Sequence, residues 1–363
     1  LGKDCSTAEI NPLFSDSVYI DRLSRIPAIM EMPYNDIIRK FIDMYAGRLR
    51  NQVSFMLSAC NFYMPIFEEA LDAYGLPLEL RYLPIIESAL NPSAVSRAGA
   101  SGLWQFMIGT GKIYGLESNS LVDERRDPIK ATWAAARYLK EMYDIYGDWN
   151  LVIAAYNCGP GTINKAIRRA NGETDYWKIY NYLPKETRGY VPAFIAANYV
   201  MTYYCDHNIC PMETNIPAST DTVQVNKNLH FEQIADLCNV PLDQIKSLNP
   251  QYKKQMIPGD SKPYTLRLPI DAISTFIDKQ DTIYTHRADE LFRNRKTVAV
   301  KDITPATRKT TSAVAGKGNL TYYTIKSGDT LSTIAGKYGV SVKDIQRWNG
   351  MSNTKIAAGK RLK

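Results

Sequence analysis

The 363-residue chain is poor in metal-binding and redox residues, with three histidines and six cysteines. His230 and His286 stand apart, and His207, between Cys205 and Cys210, has no fourth ligand near it, so no metal site is expected. The cysteines are too few for a disulfide scaffold at this length. Cys60, Cys158 and Cys238 fall in apolar helical patterns and read as buried thiols, whereas Cys205 and Cys210 are close enough to bridge in an oxidising compartment. No run of about 18 apolar residues occurs, so no transmembrane helix is expected. No signal peptide opens the chain: Leu1-Gly2-Lys3 reads as the start of a processed chain, and the residues before Cys5 do not form the lipobox of a lipid anchor. Nucleic-acid motifs are missing, and the basic residues behind the net charge of +7 are dispersed; such a modest charge suits some other anionic polymer. No cofactor is expected. What is present is a hydrophobic content of 45%, ample for a core, and length for roughly two or three domains.

One further absence is local. No Asp or Glu lies between Glu87 and Glu117. Glu87 itself ends an apolar helical stretch, Leu80 to Ile86, opened by Pro77, with Glu79 in its first turn where the helix dipole favours an anion. Glu79 is therefore read as structural. At the far end, apolar neighbours and the negative pole of the dipole both favour the protonated form of Glu87. A carboxylic acid kept neutral near pH 7 is what a glycosidase needs to protonate a leaving oxygen. Two-carboxylate glycosidases add a second Asp or Glu across the scissile bond. The loop after Glu87 offers Ser, Asn and Gly instead, which hints at a substrate that brings its own nucleophile.

Three blocks carry a resemblance. Glu87-Ser88, Asn91-Pro92-Ser93-Ala94-Val95-Ser96 and Gly99-Ala100-Ser101-Gly102-Leu103-Trp104-Gln105-Phe106-Met107 form the first. Ala155-Tyr156-Asn157-Cys158-Gly159 is the second, and Glu186-Thr187-Arg188-Gly189-Tyr190-Val191 the third. In this order they resemble the lytic transglycosylases of glycoside hydrolase family 23, and the layout resembles the membrane-bound D type. The resemblance implies Glu87 as catalytic acid and base, and a sugar site formed by Ser88, Ser96, Gln105, Met107, Tyr156, Asn157 and Tyr190. Tyr156 and Tyr190 would lie near Glu87. Trp104 stands where relatives carry a smaller aliphatic residue, which leaves its role open, and Arg188 is read as structural.

In chain order, residues 1–34 read as an irregular arm and 35–212 as a helical catalytic domain. Ile37, Ile38, Phe41, Ile42 and Tyr45 mark a helix to about Arg50. Helices are expected over 51–63, 64–74 and 103–114, from Asp127-Pro128 to Gly147, over 149–156 and 161–169, and from Thr187 to about Tyr204. The resemblance implies a goose-lysozyme-like all-α fold.

After Pro211 the pattern changes to short strands and helices, and it repeats. Ile234-Ala235, Val240, Ile245, Asn249 and Gly259 recur as Ile334-Ala335, Val340, Ile345, Asn349 and Gly359, one fixed offset of 100. The second copy, 321–363, contains Ser327-Gly328-Asp329-Thr330 and Trp348-Asn349 and resembles a LysM module, a small α+β unit of order βααβ. Ser341 with Asp344 reads as a helix cap, and Gly339 as a left-handed stop. The resemblance implies binding of N-acetylglucosamine-containing glycan through Gly328, Asp329, Thr330 and Asn349. The first copy, 221–269, is degenerate: Asn226 to His230 replaces the Ser-Gly-Asp-Thr turn and Leu248 replaces Trp348. Residues 270–320 read as a flexible linker. The whole points to a mainly α, monomeric, periplasmic enzyme acting on peptidoglycan glycan strands as a lytic transglycosylase. A hydrolytic muramidase of the same fold and a non-catalytic wall binder remain as alternatives.

Overall fold

In the computed structural model of the chain, residues 10–293 except 215 and 218 are described, as are 322–362 except 326–328, 339, 341, 352, 355 and 358. The chain divides into two compact units, 1–305 and 306–363. The first unit is helical through residue 204. Its order is α1 Asp16–Ser24, α2 Asp36–Asp43, a π turn Met44–Arg48, α3 Arg50–Ala73, a 3-10 turn Leu78–Tyr82, α4 Leu83–Ser88, α5 Ile108–Ile113, α6 Pro128–Tyr146, α7 Trp149–Cys158, α8 Pro160–Arg169, α9 Tyr176–Ile179, α10 Lys185–Arg188 and α11 Tyr190–Tyr203.

The helices start where the sequence supplies caps. The Asn35 carboxamide accepts from the Ile37 and Ile38 amides, the Asp127 carboxylate from Ile129 and Lys130, and Asp148 from Leu151. Gly147, at φ 61°, ends α6 in the left-handed region. The centre of the helical part is α11, apolar on most sides and buried from Tyr190 to Met201 except at Ala193. It packs on α2, α4 and α7, while α3 lies along α6.

Four local expectations need correction. The arm is not wholly irregular, because Tyr19 and Leu23 bury one face of α1 in the core. The two helices expected over 51–74 are one helix that continues through Pro65. The helix expected from residue 103 begins at Ile108, since Leu103 to Met107 are spent on a tight loop. The last long helix breaks at Gly189 into α10 and α11. Glu79, buried, is structural as read from the sequence: its Oε1 accepts the Ile29 and Met30 amides at 2.7 and 2.8 Å, tying the arm to the turn that leads into α4. Glu79→Ala would orphan both amides and should cost about 2–4 kcal/mol. Differential scanning calorimetry should show Tm lower by about 5–10 °C.

The remainder of this unit is the first repeat copy: β1 Thr220–Val225, β2 Asn228–His230, α12 Phe231–Cys238, α13 Leu242–Leu248, β3 Met256–Pro258 and β4 Tyr264–Pro269. β1 pairs antiparallel with β4, Val223 opposite Leu266, and β2 pairs with β3, Leu229 opposite Ile257. His230 and Gln233 form a reciprocal cap on α12. Residues 270–292, expected as the start of a linker, instead fold as α14 Ile270–Asp278, α15 Gln280–Thr285 and α16 Ala288–Leu291. Ala272, Phe276, Ile283 and Tyr284 bury themselves in the core of this copy. The rest of the expected linker, 294–320, lies outside the described residues.

The second unit contains β5 Tyr323–Thr324, α17 Leu331–Tyr338, α18 Val342–Trp348 and β6 Arg361–Leu362, the expected βααβ order. Its core is Ile325, Leu331, Ile334, Ala335, Ile345 and Leu362. The expected caps Gly339 and Ser341 lie outside the described residues.

Cys238 is buried, and Cys60 and Cys158 are half-buried thiols. Cys205 keeps its thiol whereas Cys210 is disulfide-bonded, so the two do not bridge each other. The His207 ring contacts Asn11 Oδ1 and the Tyr199 hydroxyl at 3.0 and 3.2 Å, and burial pushes its pKa down to about 4, so it is a neutral packing residue. No helix among the described residues is long and apolar enough to cross a membrane.

Candidate active site

Glu87 lies in the last turn of α4, and the chain then reverses sharply through Ala89 and Leu90, both left-handed at φ 51° and 59°. Non-glycine residues in that region are strained, and such strain concentrates at functional sites. The reversal carries the backbone into the loop 91–107. Val95 bridges Ser101 and Ser101 bridges Phe106, both antiparallel. Gln105 is also left-handed, at φ 48°. Its Nε2 donates to the Gly102 and Ala94 carbonyls at 2.8 and 3.2 Å. A Cβ at Gly102 would stand 1.7 Å from the Arg125 carbonyl oxygen, so this loop rests backbone to backbone on residues 125–126.

A cavity of about 410 Å³ opens between this loop and helices α3 and α4. Glu87, Ser88, Ser96 and Gln105 line it, together with Tyr45 and Gln52 from the π turn and α3. Glu87 is half-buried, and this burial pushes its pKa up to about 7; the Tyr190 hydroxyl, which donates to Oε1, pulls the other way, and the charge of exposed Glu186 adds a small upward push. Burial, and then the Glu87 charge, hold the Tyr190 and Tyr156 phenols well above their usual range, so both are donors. Tyr156 donates to the Trp104 carbonyl at 2.7 Å, not to Glu87, and so fixes the floor of the loop.

The remaining predicted residues fall as follows. The Ser88 hydroxyl reaches the Leu103 and Pro84 carbonyls at 2.9 and 3.0 Å, stapling α4 to the loop. Ser96, exposed at the mouth, accepts from the Ala100 amide at 3.0 Å. Asn157 Oδ1 accepts from the Thr187 hydroxyl at 2.9 Å, joining the second block to the third. Met107 is 45% exposed, beyond the residues lining the cavity. Trp104 is fully buried; its indole donates to Thr132 Oγ1 at 2.9 Å and packs edge-on against Phe67, so it anchors the loop in the core rather than lining the groove. Arg188, read as structural, donates to the Asn181 and Leu183 carbonyls. Tyr45 and Gln52 were missed because their helical periodicity resembles that of any core-facing segment.

In the second unit a cavity of about 420 Å³ is lined by Ile325, Asn349, Met351, Ile356 and Lys360, among others. Asn349 Nδ2 donates to the Ile345 carbonyl, as Asn249 Nδ2 does to Ile245 in the first copy. Asp329 accepts from the Tyr323 hydroxyl at 2.8 Å, Thr330 is exposed, and Gly328 lies outside the described residues.

A helical scaffold that raises a carboxyl into a groove beneath a Ser- and Gly-rich loop is of the transglycosylase SLT class: the profile of the transglycosylase SLT domain matches residues 64–179. Residues 219–285 match the LysM-like domain of lytic transglycosylase MltD, and 323–363 match the LysM domain. The membrane-bound lytic murein transglycosylase D of Escherichia coli K12 is 32% identical over 337 residues, 92% of this chain and 70% of that one. The chain belongs to this family. The soluble lytic murein transglycosylase of the same organism is 33% identical over 124 residues, 32% of this chain and 19% of that one. The crystal structure of the 70 kDa soluble lytic transglycosylase of E. coli aligns at TM-score 0.35 and 28% identity, over 42% of this chain and 26% of that chain.

Proposed function

We infer that the chain is a peptidoglycan lytic transglycosylase. It cleaves the MurNAc–GlcNAc β-1,4 bond without water and leaves 1,6-anhydro-MurNAc ends, in the remodelling or turnover of the cell wall. One observation carries this beyond the family likeness: Glu87 is the sole carboxylate among the described residues lining the cavity, and its proton is held to about pH 7. Glu87 donates that proton to the glycosidic oxygen as the bond to the muramoyl C1 breaks. The positive charge at C1 is carried as an oxocarbenium-like species or by the substrate's own N-acetyl group. The Glu87 carboxylate then takes the proton of the C6 hydroxyl, and O6 bonds to C1. The leaving GlcNAc oxygen takes the Glu87 proton and keeps the electron pair of the broken bond, and the C6 hydroxyl returns a proton to Glu87, so the step balances without water; the tethered hydroxyl has the effective-concentration advantage of an intramolecular nucleophile. Most water-using glycosidases place a second carboxylate across the scissile bond, and the described lining of the cavity offers none.

Ser88, Ser96, Gln105, Met107, Tyr156 and Asn157 are assigned to hold the glycan, and Tyr190 to support the acid. The second unit, through Gly328, Asp329, Thr330 and Asn349, would keep the enzyme on an insoluble substrate by avidity. A monomer on the periplasmic side of the envelope fits these roles. Mass spectrometry of murein digested by the protein tests the reading. Ends about 18 Da lighter than reducing ends are expected, because no water is added. Reducing ends would instead make it a muramidase, and no products would leave a wall-binding protein.

A further inference from the structure

We propose that the first LysM-like copy is a brace for the sugar-site loop, acting through Asp123 and Arg125. This rests on the assignment of residues 94–107 as a wall of that site. The segment 117–126 lies between the two. On one side, Arg125 Nη1 donates to the Gly99 and Phe106 carbonyls at 2.8 and 2.9 Å, and Arg126 donates to Ser101 Oγ at 3.1 Å. Arg125 is in turn gripped by both oxygens of Asp123, each at 2.8 Å. Both side chains are almost wholly buried, at 6% and 2% exposure, where a pair is rigid only if its other hydrogen bonds are met.

On the other side, the repeat copy meets the same segment through one antiparallel bridge and the backbone bonds that flank it. Val122 bridges Tyr252, the Asp123 amide donates to the Gln251 carbonyl and the Lys253 amide to the Leu121 carbonyl, both at 2.8 Å. Lys253 Nζ donates to the Asn119 carbonyl at 2.8 Å and stands 3.8 Å from Asp123 Oδ2. Leu121 and Val122 belong to the hydrophobic core of the copy rather than to that of the helical domain. The Asp123 carboxylate thus faces Arg125, which holds the sugar-site loop, and Lys253, which comes from the repeat copy.

The two copies differ in what covers the chain after the second helix. In the second copy the chain after α18, including Met351 and Ile356, lines an open cavity. The corresponding chain after α13, Gln251 to Lys253, is covered in the first copy by residues 119–123. The stretch that lines a cavity in one copy is the docking contact in the other. Asp123, Arg125 and Lys253 are positioning residues: they touch no substrate, but they hold the backbone that presents Ser96 and Gln105.

The test uses the full chain with Lys253→Met and Lys253→Arg, assayed on soluble uncrosslinked glycan strands, with hydrogen exchange followed across residues 94–106. Lys253→Met should raise KM about tenfold with kcat within about twofold, because a loosened wall weakens presentation of the sugar more than the acid itself. Lys253→Arg should restore KM. Exchange at residues 96–106 should accelerate in Lys253→Met while that of α11 does not change. Unchanged KM and unchanged exchange at 96–106 would overturn the proposal, whether or not Tm falls. Should Lys253→Met fail to fold, Lys262→Ala, which removes a half-exposed partner of Glu117 at the same junction, should give the same changes in smaller degree, and its silence would also overturn the proposal. The mass of wild-type products tests the enzymatic reading separately, so either can fail without the other.

Discussion

Replacing Glu87 by glutamine should lower release of anhydro-muropeptides by at least about 10³-fold, since the proposed mechanism uses this one side chain as both acid and base. Binding of the variant to murein sacculi should be unchanged, because the amide keeps the shape of the cavity wall. A wild-type-like rate for the variant would exclude Glu87 as the acid. The pH profile gives a second readout. The acid must be protonated to act, and its pKa is raised from the ordinary 4.5 to about 7 by burial, so kcat/KM should fall above pH 7 by about tenfold per unit. Tyr190 donates to the carboxylate and holds this pKa down, so Tyr190→Phe should move that limb to higher pH.

The same shift makes Glu87 a burden on the fold, and the sign can be worked through. The folded state keeps the proton until about pH 7, while the unfolded chain loses it near 4.5. Between those values the folded state binds more protons, so stability falls as pH rises and is flat above the window. Glu87→Gln should therefore match wild type at pH 4 and exceed it at pH 8. Allowing for the partial exposure of the carboxyl, the gain should be about 1–2 kcal/mol, readable as a difference in denaturant midpoints at the two pH values.

The setting of Glu87 was legible because its signals are local. An apolar stretch ending in one carboxylate, followed by a loop without acids, specifies a buried acid at a helix end, and α4 places Glu87 there. The repeat was legible because apolar positions recur at one offset, and Val240 and Val340 or Ile245 and Ile345 fill equivalent places in two small cores. Leu103 to Met107 misled because apolar content was read as helix. Leu103, Trp104 and Phe106 are buried by a loop whose geometry depends on Gly102 and on a left-handed Gln105, neither of which leaves a periodic trace. Residues 270–292 misled in the opposite way: polar residues dominate, yet Ala272, Phe276 and Ile283 supply a buried stripe. The pairing of Asp123 with Arg125 shows no periodicity at all. Its meaning depends on the Gly99 and Phe106 carbonyls, up to 26 residues away, and on Lys253, further still.

Gly102→Ala should be the most damaging substitution of a single hydrogen by a methyl group in the loop 91–107. Two costs add there. At φ +87° the backbone is one that L side chains rarely adopt, a penalty of about 1–2 kcal/mol. The new Cβ would also meet the Arg125 carbonyl oxygen at 1.7 Å and its carbon at 2.6 Å, and these are backbone atoms that cannot swing aside. Relief requires the loop to lift from residues 125–126, which breaks the Gly102 amide bond to the Ala94 carbonyl and displaces the carbonyl that holds Gln105. A stability loss of about 3–5 kcal/mol is expected from strain and overpacking together. Gly99→Ala is the control. Its φ, +88°, is nearly the same, but nothing lies within 4 Å of the added methyl, so only the conformational penalty applies. Measured together, Gly102→Ala should fall below Gly99→Ala in stability by about 2–3 kcal/mol and in kcat/KM by about 10²-fold. Equal losses at the two positions would mean that backbone conformation alone, and not the seat on residues 125–126, gives the loop its shape.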